Sequence, residues 1–224
     1  VNGQALHQYC DPGADIRRWI DKHIGSRALS SPLSLCATAA FTLKILAEGI
    51  PGCLVECGVF TGAHPAVMAH ACDLAGEVRD VWLFDSFAGL PETGPEDHNP
   101  GTPPFEHGGF KCTLGGVLKN LAEWKIDAGA LHFVEGWFSE TIPSSRTGPI
   151  ALLRIDADLH ASTEVCAQHL YDRVVPNGFV IVDDWNYDGV REAVDAVVGA
   201  PHQLHKIPGG RHSYFWRKDN GGDT

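Results

Sequence analysis

What most limits the fold of this chain is an alternation: short apolar runs of strand type are separated by helical stretches, and several of the runs end in an acid. The runs are CLVEC from Cys53, VWLFD ending in Asp85, LHFVEG from Leu131, PIALLRID ending in Asp156, and FVIVDD ending in Asp184. Unbroken Val/Ile/Leu segments need apolar cover on both faces, which a parallel sheet with helices on either side provides. The expected class is therefore α/β, a doubly wound and mostly parallel sheet. The tail HQLHKIPGGRHSYFWRK, two strand-like pieces around Gly209-Gly210, adds a C-terminal antiparallel hairpin.

Helical signals fill the intervals. Ile16, Ile20 and Ile24 repeat at helical spacing, and Ser30 or Ser31 followed by Pro32 opens a helix that Gly49 and Pro51 close. Further helices are expected over 65–76, 114–126, 161–174 and 190–198, with a turn at Pro176-Asn177-Gly178 before the last acid-tipped run. Residues 1–30 read as a helical extension and 31–224 as one domain. Residues 86–109, rich in Pro, Gly and acid, read as a mobile loop placed to close over a site.

Composition excludes some partners. A formal charge of -11 without a basic run disfavours nucleic acid. No apolar run approaches the roughly 20 residues of a membrane span. Seven cysteines without a CxxC pair, mostly in apolar segments, read as reduced core thiols, so the expected location is the cytoplasm; VNGQALHQYC lacks a signal-peptide pattern and is given no weight in that expectation.

Three constellations carry chemistry. Glu56-Cys57-Gly58-Val59-Phe60-Thr61-Gly62 joins a strand to a helix, where glycines let the backbone turn and approach a ligand and the helix start offers free N–H groups. The dinucleotide pattern GxGxxG is absent, and the acid before Gly58 suits a sulfonium cofactor, S-adenosylmethionine, better than a pyrophosphate. The alternative is a tight turn whose glycines serve only packing. Asp85 ends the next strand, where an acid in such sheets accepts from ribose hydroxyls, unless it only caps the turn at Ser86-Phe87. RIDADLH and VIVDDWNY end what read as neighbouring strands, so Asp156, Asp183 and Asp184 converge. Such carboxylates repel unless a cation joins them, and an all-oxygen set suits Mg2+. The alternative for these acids, and more so for Asp158, is capping of the helices that follow. His160 lies over the expected metal as a candidate base, or merely packs there. A zinc site at His202 and His205 lacks the acids or cysteines it would need.

GIPGCLVECGVFTG, VWLFDSFAGLPE, FVEGWFSETIP, ALLRIDADLHAST and GFVIVDDWN, in that order over roughly residues 32–218, resemble the macrocin O-methyltransferase family (TylF and mycinamicin methyltransferase type), which methylates sugar hydroxyls on antibiotics. The resemblance implies a Rossmann-like class I methyltransferase fold with S-adenosylmethionine over Glu56, Gly58, Phe60, Thr61 and Gly62, and over Asp85 and Ser86. It places Gly136 and Trp137 beside the adenine, although Trp137 alone reads as a core aromatic. It further implies Mg2+ on Asp156, Asp183 and Asp184, and a homodimer or higher homo-oligomer. Ala157 and His160 replace the family's usual Gly and Tyr, and Leu159 stands where catechol O-methyltransferases, related by fold, carry a Lys base.

The expected activity is Mg2+-dependent transfer of a methyl group to a hydroxyl of a small natural product. Asp156 or His160 would take the proton, and His64, Trp185 and Tyr187 would form acceptor walls. Two rivals remain: a metal-independent O- or N-methyltransferase, and a non-catalytic module that binds S-adenosylmethionine.

Overall fold

The computed structural model describes residues 6, 9–98, 105–199 and 203–219. Seven strands form one sheet in the order β3-β2-β1-β4-β5-β7-β6. These are β1 (Cys53–Cys57), β2 (Val81–Asp85), β3 (Leu131–Glu135), β4 (Ile150–Ile155), β5 (Val174–Val182), β6 (His205–Lys206) and β7 (Tyr214–Arg217). The first five run parallel; β7 is antiparallel to β5 and β6 to β7. The helices are α1 (Ala14–His23), α2 (Pro32–Ala47), α3 (Ala63–Ala75), α4 (Leu114–Glu123), α5 (Phe138–Thr141), α6 (His160–Leu170) and α7 (Asp188–Val198).

The sheet separates two apolar cores, as unbroken apolar strands require. One holds Ile16, Ile20 and Ile24 with α2, α3 and α4; the other holds α6 and α7 against Val55, Leu153, Val180 and Val182. The α1 stripe is therefore packed into the first core rather than left unpartnered. Ser31 caps α2 by accepting the Ser34 N–H at 3.1 Å, with Pro32 in the first turn.

One expectation is corrected. Pro176-Asn177-Gly178 lies inside β5 and not before it. The β4–β5 register jumps from Ile150–Val174 to Leu152–Phe179, and Asn177 takes φ 65. Proline without an N–H and asparagine tolerant of left-handed backbone make a bulge where local signals read as a turn. His202 lies outside the described residues, as does the middle of the 86–109 loop. The ends of that loop are tied together, the Leu90 N–H donating to the Gly109 carbonyl at 3.0 Å and the Gly108 N–H to the Leu90 carbonyl at 2.9 Å.

Candidate active site

A cleft of about 900 Å³ opens over the carboxyl ends of β1, β2, β4 and β5. On one side stands the loop after β1. Gly58 takes φ 90, Phe60 φ 46 and Gly62 φ 87, so the chain reverses within a few residues. Gly58 is also required for packing: a Cβ there would lie 1.8 Å from the carbonyl oxygen of Asp156. Gly62 takes the N-cap position of α3, which has no side-chain cap, and the helix's first residues Ala63 and His64 line the cleft.

Asp85 serves this loop directly. One carboxylate oxygen accepts the Val59 and Phe60 N–H groups at 2.7 and 3.2 Å, and the other accepts the Phe87 N–H at 2.7 Å. The carboxylate thus ties the β1 and β2 ends together, the turn role that sequence reading held as the alternative to ribose binding. Its cleft-facing position leaves room for both, because a carboxylate has about four acceptor sites. Ser86, Gly136 (φ 143) and Trp137 follow the ends of β2 and β3, and Ser86 and Trp137 line the cleft.

Glu56 is 1% exposed and lines the same cleft, and its Oε2 has no hydrogen-bond partner. Burial pushes its carboxyl up to about 8 against the pull of Arg154. A buried, unpartnered acceptor beside a glycine turn and a free helix start fits a cofactor with both a cationic and a carboxylate end, as the methionine part of S-adenosylmethionine has.

The other side of the cleft is acidic. The carboxylates of Asp156, Asp158 and Asp184 converge, with candidate ligand atoms within 4.8 Å of one another. Asp158 (φ 59) and Asp184 (φ 57) both take left-handed backbone, which turns each side chain back over the strand ends. Asp183, expected in this group, does not join it. Its Oδ2 accepts from Arg154 at 2.8 Å, and its Oδ1 accepts from the Ser213 hydroxyl at 2.8 Å. Asp158 takes its place by proximity, and neither acid caps a following helix.

Arg154, fully buried in β4, pairs with Glu56 at 3.0 Å and with Asp156 and Asp183 at 2.8 Å each. Three carboxylates therefore share one guanidinium, and two more, those of Asp158 and Asp184, lie beside Asp156. The excess negative charge shows in the acids. Burial, with Asp156 and Asp183 adding to it, pushes the Asp158 carboxyl up to about 8, while burial and the neighbouring aspartates raise Asp184 well above the usual range. Such a set holds protons or a cation, and an all-carboxylate cluster suits a hard divalent ion.

The remaining sequence-expected residues divide. His64 lines the cleft, buried, with Nδ1 3.0 Å from the Thr38 hydroxyl and Nε2 2.9 Å from that of Ser30; burial holds it neutral. Tyr187 lines the cleft, its ring 5.0 Å from Phe105. Trp185 instead packs on Tyr214 and Trp216, and His160 begins α6 without lining the cleft. Sequence reading missed the opposite wall: Leu29, Ser30 and Ser31 meet the β6–β7 turn, where Ser31 donates to the Gly209 carbonyl at 2.8 Å, and Arg211 is the only Lys or Arg among the described lining residues.

The sheet order, the glycine turn after β1 and the cleft across the strand ends define a class I methyltransferase dependent on S-adenosylmethionine. The chain matches the macrocin-O-methyltransferase (TylF) family over residues 19–218 and belongs to it. It is 38% identical over 180 residues, 77% of this chain and 68% of the relative, to 8-demethyl-8-(2,3-dimethoxy-alpha-L-rhamnosyl)-tetracenomycin-C 4'-O-methyltransferase of Streptomyces olivaceus. It is 32% identical over 205 residues, 87% and 77% of the two chains, to mycinamicin III 3''-O-methyltransferase of Micromonospora griseorubida. Among solved structures, the O-methyltransferase NovP shares the fold with a TM-score of 0.78 at 24% identity, covering 96% of this chain and 97% of that one.

Proposed function

We propose that this chain methylates a sugar hydroxyl of a glycosylated natural product, with a divalent cation of the Mg2+ type at the acidic side of the cleft. The observation that carries the reading is the convergence of Asp156, Asp158 and Asp184 across the cleft from the cofactor turn. The two relatives above, one named for 4'-O-methyl transfer on a rhamnosyl tetracenomycin and the other for 3''-O-methyl transfer on mycinamicin III, support the acceptor class.

Asp156 and Asp184, common to the sequence-expected set and to the observed cluster, would hold the ion; Mg2+ commonly uses only one or two carboxylates and fills its shell with water and substrate oxygens. When bound, it supplies a Lewis acid that lowers the proton affinity of the acceptor hydroxyl. Asp183, held by Arg154 and Ser213, braces the cluster from behind. Asp158, whose carboxylate converges with those of Asp156 and Asp184 and would be ionised beside a bound cation, is the acceptor for the hydroxyl proton, in place of Asp156 or His160. S-adenosylmethionine, when bound, would supply an activated sulfonium methyl for that oxygen, giving a methyl ether and S-adenosylhomocysteine. Glu56, the turn from Gly58 to Gly62 and Trp137 hold the donor in place; alignment of this kind contributes roughly 7 to 11 kcal/mol in well-oriented systems.

The cytoplasm and a homodimer complete the proposal. Seven free cysteines are in keeping with the first, and light scattering of the purified chain tests the second. The decisive experiment incubates the chain with S-adenosylmethionine, Mg2+ and a panel of deoxysugar glycosides, followed by mass spectrometry. Gain of one methyl on the sugar, lost on chelation, is expected. Full activity in EDTA would instead favour the metal-independent reading.

A further inference from the structure

The two helices beside the acid cluster begin behind residues unable to cap them. Helix α6 starts at His160 after Leu159, and α7 starts at Asp188 after Tyr187; neither has a side-chain cap at its N-cap position. Each helix follows closely on a cluster carboxylate in left-handed backbone, Asp158 before α6 and Asp184 before α7. Backbone of that kind persists only where its surroundings hold it.

The holding group for α6 comes from a part of the chain 63 residues away: the His160 N–H donates to Asp97 Oδ1 at 2.7 Å. Asp97 is oriented by its own turn, its Oδ2 accepting the Gly94 N–H at 2.7 Å. The same turn touches the first residues of α7. A Cβ on Gly189 would stand 2.6 Å from the Glu96 carbonyl oxygen and 3.2 Å from the His160 Cβ. Glycine is thus what lets the 95–97 turn lie against both helix starts at once.

We propose that this turn positions the transfer site: Asp97 through the His160 N–H, and Gly189 through the close backbone approach, fix where Asp158 and Asp184 point. Asp97 does not line the cleft and touches no reacting atom; it acts through the backbone that carries the two carboxylates. The inference rests on the reading that these carboxylates serve a cation and the acceptor.

The test uses the full chain and its Asp97→Ala, Asp97→Asn and Gly189→Ala variants, with Mn2+ and S-adenosylmethionine as probes. In Asp97→Ala, loss of one cap should weaken Mn2+ binding by about tenfold and speed amide exchange at residues 158–162, with S-adenosylmethionine affinity within about twofold. Asp97→Asn keeps an acceptor for the His160 N–H and should recover most of the Mn2+ affinity. Gly189→Ala, displacing the turn from the other side, should reproduce the Asp97→Ala result and also speed exchange at 184–190. Unchanged exchange and Mn2+ affinity in Asp97→Ala would overturn the proposal, as would an Asp97→Asn variant as impaired as Asp97→Ala. If the parent chain binds no Mn2+, the cation reading fails, while exchange at 158–162 and 184–190 still decides whether the turn holds the helix starts.

Discussion

The two sides of the cleft are built in different ways. On the proposed donor side, the turn after β1 is held chiefly by Asp85 at the end of the adjacent strand, with Asn120 of α4 donating to the Thr61 carbonyl at 3.0 Å. On the acceptor side, carboxylates at the ends of β4 and β5 depend on a buried arginine, on Ser213 of the β6–β7 turn, and on a turn from the loop after β2. On the proposed function, a cofactor common to all substrates would be met by a compact device, and the acceptor by parts drawn from across the chain. Such parts can change separately.

The sharpest way to break this contrast is to neutralise the acceptor side alone. Asp156→Asn or Asp184→Asn should lower methyl transfer by roughly a hundred- to a thousandfold, a scale typical of lost electrostatic groups, with calorimetric affinity for S-adenosylmethionine unchanged. Loss of both would show that the halves are not separable. The converse change, Asp85→Ala, orphans the Val59 and Phe60 N–H groups and should weaken cofactor binding roughly ten- to a hundredfold, with turnover at saturating cofactor nearly intact.

A thermal experiment sharpens the electrostatic difference. Asp158 is pushed to about 8 in the fold, against about 3.9 in an unfolded chain. The native state therefore holds its proton over the interval between those values, and the contribution to stability is full below about pH 4 and lost as pH rises toward 8. In EDTA the melting temperature should fall over that window, and Mg2+ should restore several degrees near pH 8 but little near pH 5. Equal Mg2+ effects at both pH values would remove the cation from the cluster. The smallest effect is expected from His160→Ala, within about twofold in turnover, because its ring stands outside the cleft. A collapse of activity would return His160 to the proton-transfer role.

What could be read from the sequence follows the same division. The acid-tipped strand runs, Gly58, Gly62 and the Ser31 cap are written in contiguous residues and took their expected places, apart from the start of β5, which takes in the 176–178 signal. The sequence places Asp156, Asp158, Asp183 and Asp184 at two neighbouring strand ends but does not encode which way each side chain turns. Asp158 and Asp184 take left-handed backbone and join Asp156, while Asp183 is held by Arg154. The cap of α6 was expected from a nearby aspartate; an aspartate supplies it, but from the far loop, and no local pattern encodes that contact. Leu159 and Tyr187 at cap positions were the available hint, since neither can satisfy a helix start.

Gly58 is where the halves meet, its α-carbon pressed against the main-chain carbonyl of Asp156 with no space for a methyl group between them. On the proposed function, the spacing between the cofactor turn and the acid cluster is consequently set by two stretches of peptide and not by adjustable side chains. New acceptors can then be admitted by redrawing the outer wall around Leu29 and Arg211, while the reach of the methyl group stays as it was.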